Sequence, residues 1–190
     1  MRTSSQHKVE RGFTLVELVV VISIVAVLAA LAVPSFVTVT ERWRVRSAAE
    51  SLIDTTYYAR SEAVRRGENI VIARRASAGD CTSTGVTDWS CGWIIFDDVN
   101  NDGAQGACDQ SATKNECTIR VLDLPPSVNI AIPGNGTLTV DRFGVISSNN
   151  SNAVTAALTA KGRALTDPSS AQLCIAPMGR VRRILGTDSC

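Results

Sequence analysis

The chain has 190 residues, with 19 Lys plus Arg against 18 Asp plus Glu and a formal net charge of +1. That length suits one domain or one domain plus an attachment, and 45% apolar residues are enough for a buried core, which excludes wholesale disorder. The balanced charge excludes a uniformly basic nucleic-acid coat and leaves room for a local basic patch.

The first element in chain order is an apolar run, Phe13 to Val33, of 21 residues with one ionisable side chain, Glu17. As a helix it would be about 31 Å long, enough to cross a bilayer core. Arg2, Lys8 and Arg11 precede it, opposed by Glu10. Positive flanks stay cytoplasmic, so the chain after Val33 is expected to face outward. The run is too long for a secretory h-region and no small-x-small site follows it directly, so a plain single-pass anchor is the simpler reading. A carboxylate inside such a segment is costly and marks function, with snorkelling to the nearby boundary as the bland alternative. Pro34 is expected to kink or locally unwind the helix.

The pattern Arg11-Gly12-Phe13-Thr14-Leu15, then Glu17, in RGFTLVELVVVISIVAVLAALAVP, closely resembles the class III leader of type IV pilins and type II secretion pseudopilins. The resemblance implies cleavage after Gly12 by a prepilin peptidase and N-methylation of Phe13. It also implies a filament-assembly role for Glu17, which meets the N-terminal amine of a neighbouring subunit in that family. Residues 1–12 are then a leader, and 13–33 the membrane-spanning or filament-core half of a helix. The chain would pass once through the bacterial inner membrane, with its C-terminal part periplasmic. Losing the leader discards the one histidine, His7. That removes Ser-His-Asp and Cys-His catalysis and imidazole zinc sites, so no enzyme and no cofactor are expected.

Helical spacing continues past Pro34. Phe36, Val39 and Trp43 share one face, and Val45, Ala49, Leu52, Thr56, Ala59 and Ala63 form a stripe. Gly67 is the expected stop. Residues 34–66 therefore read as the amphipathic half of one long helix. The arginines near Arg42 read as a solvated surface facing lipid head groups.

Residues 67–190 read as strands and turns: 69–74, 92–97, 118–123, 128–132, 137–143, 172–176 and 180–185. The alanine-rich stretch 154–160 fits no single type. A long helix followed by an antiparallel sheet is an α+β fold. Three blocks, YYARSEAVRRGENIVI (57–72), CGWIIFDDVNNDG (91–103) and DRFGVIS (141–147), together with MGRVRR (178–183), resemble the GspH/FimT group of minor pilins and pseudopilins.

Six cysteines follow the apolar run, an even number that reads as disulfides in a domain outside the cytoplasm. Spacing alone favours Cys81–Cys91, Cys108–Cys117 and Cys174–Cys190.

Two constellations could carry chemistry. Asp98, Asn100, Asp102 and Gly103 match the opening of a calcium-binding EF-hand loop, with Asp109 in the twelfth position. No flanking helices are expected, and an Asx-rich turn is favoured over a Ca²⁺ site. The second is Gly179-Arg180-Val181-Arg182-Arg183. In a strand, Arg180 and Arg182 form one two-pronged basic edge with Val181 turned inward. Guanidinium groups grip phosphate bidentately, and Gly179 lets the backbone turn or approach a ligand.

This GRxR segment resembles the C-terminal motif of FimT minor pilins, which are implicated in DNA capture for natural transformation. The resemblance implies sequence-independent contacts from Arg180 and Arg182 to the phosphate backbone, helped by Arg183 and Lys161. The alternative is a GspH-like pseudopilin of a type II secretion system that contacts other subunits and binds no DNA.

Overall fold

The computed structural model describes residues 13–108, 116–125, 127–148 and 153–185, without the side chains of 31–35 and 185. Two compact units divide between Val39 and Thr40. A 52-residue helix, α1 (Leu15–Arg66), runs through the first unit and opens the second.

In the first unit the Thr14 hydroxyl accepts the Glu17 backbone N–H at 3.2 Å. This is N-capping at a T-x-x-E spacing, and it places the Glu17 charge in the first turn, where the helix dipole favours it. The apolar side chains from Phe13 to Leu28 are exposed on all sides, which leaves a helix that needs a cover. Among the described residues no helix is long and apolar enough to cross a membrane. The described apolar side chains from 15 to 30 span only about 24 Å. α1 stays helical through Pro34, so the local unwinding expected there does not occur. Proline removes one donor, and a helix of this length carries that loss without ending.

In the second unit α1 buries the expected stripe, Val45, Ala49, Leu52, Thr56, Ala59 and Ala63, and adds Ala48 and Thr55. These small residues let sheet side chains come close. The Trp93 indole N–H donates to the Thr55 hydroxyl at 2.9 Å, which gives a buried donor its acceptor. The helix ends where expected: Gly67 takes φ +70° and its N–H donates to the Ala63 carbonyl at 2.9 Å.

The strands are β1 (Asn69–Arg74), β2 (Ser77–Ala78), β3 (Cys81–Thr82), β4 (Trp93–Asp98), β5 (Thr118–Leu122), β6 (Val128–Ala131), β7 (Thr137–Val140), β8 (Ile146–Ser147), β9 (Val154–Ala160), β10 (Ala171–Ile175) and β11 (Val181–Leu185). They form a sheet of order β5-β4-β1-β7-β8, a second of order β11-β10-β9-β6, and the small pair β2-β3. The ladders are antiparallel. The alanine-rich stretch is strand β9, whose burial alternates strictly: Val154, Ala156, Leu158 and Ala160 point inward. One cluster joins the α1 stripe to Ile70, Ile72, Trp93 and Ile95 of the first sheet and to Ile130, Leu158, Leu173 and Ile175 of the second. The architecture is α+β, as the chain order implied.

Candidate functional site

The β10–β11 connection carries the GRxR segment. The Ala176 N–H donates to the Arg180 carbonyl and the Gly179 N–H to the Ala176 carbonyl, both at 2.9 Å. Gly179 takes φ +78°, the left-handed residue that a three-residue hairpin loop needs. Arg60 of α1 reaches this loop and donates from Nη1 to the Met178 carbonyl at 2.6 Å. A Cβ at 179 would stand 2.4 Å from Arg60 Nη1, and a Cβ at Gly144 would stand 2.8 Å from Arg60 Nε. Gly179 is buried. Its missing side chain therefore makes room for Arg60 and not for an external ligand.

Gly144 belongs to a tight turn in which Asp141 Oδ1 accepts the N–H groups of Phe143 and Val145 at 2.9 and 2.8 Å. The Ile146 N–H then donates to the Pro177 carbonyl at 2.8 Å. Three separate sequence blocks thus meet at the Arg60 side chain. Sequence reasoning noted each block and missed their meeting.

Arg180 and Arg182 are exposed and line one cleft with Val154, Cys174 and Ala176. Val181 packs against the core, as the strand alternation required. Arg183 is exposed on the opposite face and lines a different groove, beside Arg42 and Arg46 of α1. Among the described residues Arg42, Arg180, Arg182 and Arg183 form no ion pair. Lys161 does not join this group. The β9–β10–β11 register sets Val154 beside Ile175 and Val181, whereas Lys161 follows the far end of β9. Seven residues of strand separate the two ends by about 23 Å.

Disulfides join Cys81 to Cys91 and Cys108 to Cys117. Cys174 is also disulfide-bonded. Its expected partner Cys190 lies outside the described residues, as do Gly12 and Asp109.

The 98–103 loop is built as an Asx turn. Asp98 accepts the N–H groups of Asp102 and Gly103, both at 3.1 Å, and Asn100 Oδ1 accepts that of Asp102 at 2.9 Å. The buried Glu116, which sequence reasoning missed, accepts the N–H groups of Asn100 and Gly106 at 3.2 and 2.8 Å. Carboxylate oxygens of Asp98, Asp102 and Glu116 lie within 4.8 Å of one another. Burial pushes the Asp98 carboxyl up, the N–H groups of Gly103 and Asp102 pull it down, and the charges of Asp102 and Glu116 add to the rise. The carboxylates already accept loop N–H groups, so the arrangement is what a self-bonded turn requires.

A second polar cluster sits at the end of α1. Arg65 and Arg66 donate to Glu62, and Arg66 also donates to Asp97 of β4. The two arginines hold the Glu62 carboxyl below its ordinary range. Burial dominates at Asp97 and pushes its carboxyl up against the opposing pull of Arg66. Oδ1 of Asp97 has no hydrogen-bond partner among the described residues. No metal ligand set or nucleophile–base pair emerges from this cluster, and its geometry is that of a brace between helix and sheet.

Residues 48–179 match the family model described as type II transport protein GspH. The chain belongs to the GspH family. Residues 7–33 of this GspH-family chain match the prokaryotic N-terminal methylation motif. No curated protein matches it.

The type IV minor pilin FimU of Pseudomonas aeruginosa is similar in fold in two crystal forms. One has 23% identity and a TM-score of 0.52, covering 80% of this chain and 96% of FimU. The other has 23% identity and a TM-score of 0.50, covering 76% and 96%. The minor pseudopilin EpsH of the Vibrio cholerae type 2 secretion system has 14% identity and a TM-score of 0.46, covering 76% of this chain and 99% of EpsH.

The GspH-family chain is thus a minor pilin or pseudopilin with a type IV pilin-like fold, a structural subunit and not an enzyme. Family and methylation motif together imply prepilin processing, association with other pilus subunits and an envelope-associated pilus.

Proposed function

We propose that this chain is a FimT-like minor pilin that binds DNA without sequence preference through Arg180 and Arg182, for uptake in natural transformation. The observation that carries the reading is the paired exposure of these two arginines on one face of the β10–β11 hairpin, whose loop Arg60 holds. A clamped loop loses little freedom on binding, and two unpaired guanidinium groups suit phosphate oxygens. Contacts of this kind position a nucleic-acid backbone and read no bases.

The N-terminal assignments belong to the same reading. Residues 1–12 are a leader cleaved after Gly12 by prepilin peptidase, and Phe13 is the methylated N-terminus. Residues 13–33 anchor the subunit in the inner membrane as a single pass before assembly and enter the filament core afterwards. Glu17 then faces the N-terminal amine of a neighbouring subunit. The all-round exposed apolar side chains of the first unit support both covers. The domain from 34 onward stands in the periplasm.

Filter retention of a labelled DNA duplex by the full chain in neutral detergent tests the reading. Retention by the wild type, weakened in Arg180→Ala/Arg182→Ala, is the expected result. Absence of retention by the wild type would favour a purely structural pseudopilin role.

A further inference from the structure

A groove of about 320 Å³ lies between α1 and the second sheet, lined among others by Arg42, Trp43, Arg46, Ser169, Ser170 and Arg183. Arg42 and Arg46 stand one helical turn apart on α1, and Arg183 reaches the same groove from β11. Arg46 has a partner, Glu50, at 2.8 Å, whereas Arg42 and Arg183 have none among the described residues. Among the described residues no carboxylate stands within ion-pair distance of either. Ser169 turns its hydroxyl and N–H to Asp167 Oδ1 at 2.7 and 2.8 Å, and Ser170 turns its hydroxyl to the Ala164 carbonyl at 2.8 Å. Asp167 stays an anion that attracts Arg42 across the wall, with its Oδ1 held by Ser169 and its Oδ2 4.0 Å from Arg163, so Arg183 is the cation left with no nearby acid among the described residues.

Trp43 is the odd residue here. Its indole is 69% exposed, while Trp89 and Trp93 are 1% and 0% exposed. A large aromatic surface left in water beside three guanidinium groups is the combination that single nucleic-acid strands use, phosphate on arginine and base on the ring. β11 is the edge strand of its sheet, and consecutive residues point to opposite faces. Arg182 therefore serves one face and Arg183 the other. The groove volume sits at the lower end of the range for small-ligand pockets, about 300–1,000 Å³.

We infer that this groove is a second phosphodiester-binding subsite, which seats a nucleic-acid strand that folds over the β11 edge from Arg180 and Arg182, with Trp43 stacked on a sugar or base. The inference rests on the reading of Arg180 and Arg182 given above.

The test uses Trp43 fluorescence, because the other two tryptophans are shielded. The full chain in neutral detergent at low salt is titrated with a single-stranded oligonucleotide, and anisotropy of the labelled oligonucleotide is followed in parallel. The subsite requires quenching that Trp43→Phe abolishes. Arg42→Ala/Arg183→Ala should weaken binding by about tenfold, and Arg42→Lys/Arg183→Lys should restore part of it. Arg180→Ala/Arg182→Ala should bind more weakly yet still quench.

Oligonucleotide binding without Trp43 quenching, and unchanged by Arg42→Ala/Arg183→Ala, overturns the subsite and leaves the Arg180/Arg182 reading intact. Quenching by phosphatidylglycerol vesicles but not by oligonucleotide overturns it in favour of a lipid surface. No binding by the wild type overturns both readings.

Discussion

The Arg60 guanidinium donates a 2.6 Å hydrogen bond to the Met178 carbonyl, across 118 residues of sequence. That bond ties the C-terminal part of α1 to the loop that presents Arg180. Gly144 and Gly179 flank the same side chain, and neither position has room for a Cβ. The loop's shape is therefore set from inside the fold before any ligand arrives.

A double-mutant cycle tests this clamp. Arg60→Ala removes a charged donor and should cost about 1–2 kcal/mol. Gly179→Ala adds a collision with Arg60 and a φ of +78° that alanine resists, and should cost about 2–3 kcal/mol. In the Arg60→Ala background the collision disappears and only the backbone cost of about 1–2 kcal/mol remains. Urea denaturation of the four proteins measures the cycle. Strict additivity would show that Arg60 and Gly179 do not compete for one space.

The brace at the end of α1 has a pH signature. Arg66→Ala leaves the buried Asp97 carboxylate without its cation and should cost about 2 kcal/mol near pH 7. The Asp97 carboxyl is already pushed up by burial, and losing Arg66 pushes it further. A raised carboxyl favours the folded state below its unfolded value, and that advantage is lost as pH rises through the folded value. The deficit of Arg66→Ala relative to wild type should therefore shrink between pH 7 and pH 4.5. Thermal melts at both values read the difference.

Asp88 titrates in the opposite sense. Burial pushes its carboxyl up, but hydrogen bonds from Ser90 and Thr84 outweigh burial and hold it at about 2. A lowered carboxyl stabilises the fold above its unfolded value, about 4, and that stability is lost as pH falls through the folded value. Asp88→Asn should flatten the acid limb of stability between about pH 4 and pH 2. Urea midpoints measured across that window show it.

The disulfides Cys81–Cys91 and Cys108–Cys117 close loops of sequence separation 10 and 9. Each should contribute about 2–3 kcal/mol by restricting the unfolded chain. Peptide mapping without reduction should recover both pairs, and Cys81→Ser/Cys91→Ser should lower the urea midpoint by a matching amount.

The helix stripe and the strand cores were legible because both follow a fixed period. Val45, Leu52 and Ala63 keep helical spacing, and Val128 and Ile130 keep the strand alternation. Gly67 was legible for a local reason, the left-handed cap it forms. β2, β3 and β8 were not legible, since two residues carry no period. The resemblance joins Lys161 to the arginines, and only the strand register sets it at the far end of β9. The role of Arg60 was not legible, because its acceptor lies in another block. The Thr14–Glu17 cap was in the sequence as a T-x-x-E spacing, overshadowed by the apolar run.

The most direct measurement is the salt dependence of DNA binding by the full chain, compared with Arg180→Ala/Arg182→Ala. Each phosphate contact contributes about 0.9 to the slope of log affinity against log salt on duplex DNA. The wild type should bind unrelated duplexes equally, and the double variant should bind more weakly with a slope smaller by about 2. Equal affinity and equal slope for the two proteins would contradict the Arg180/Arg182 site.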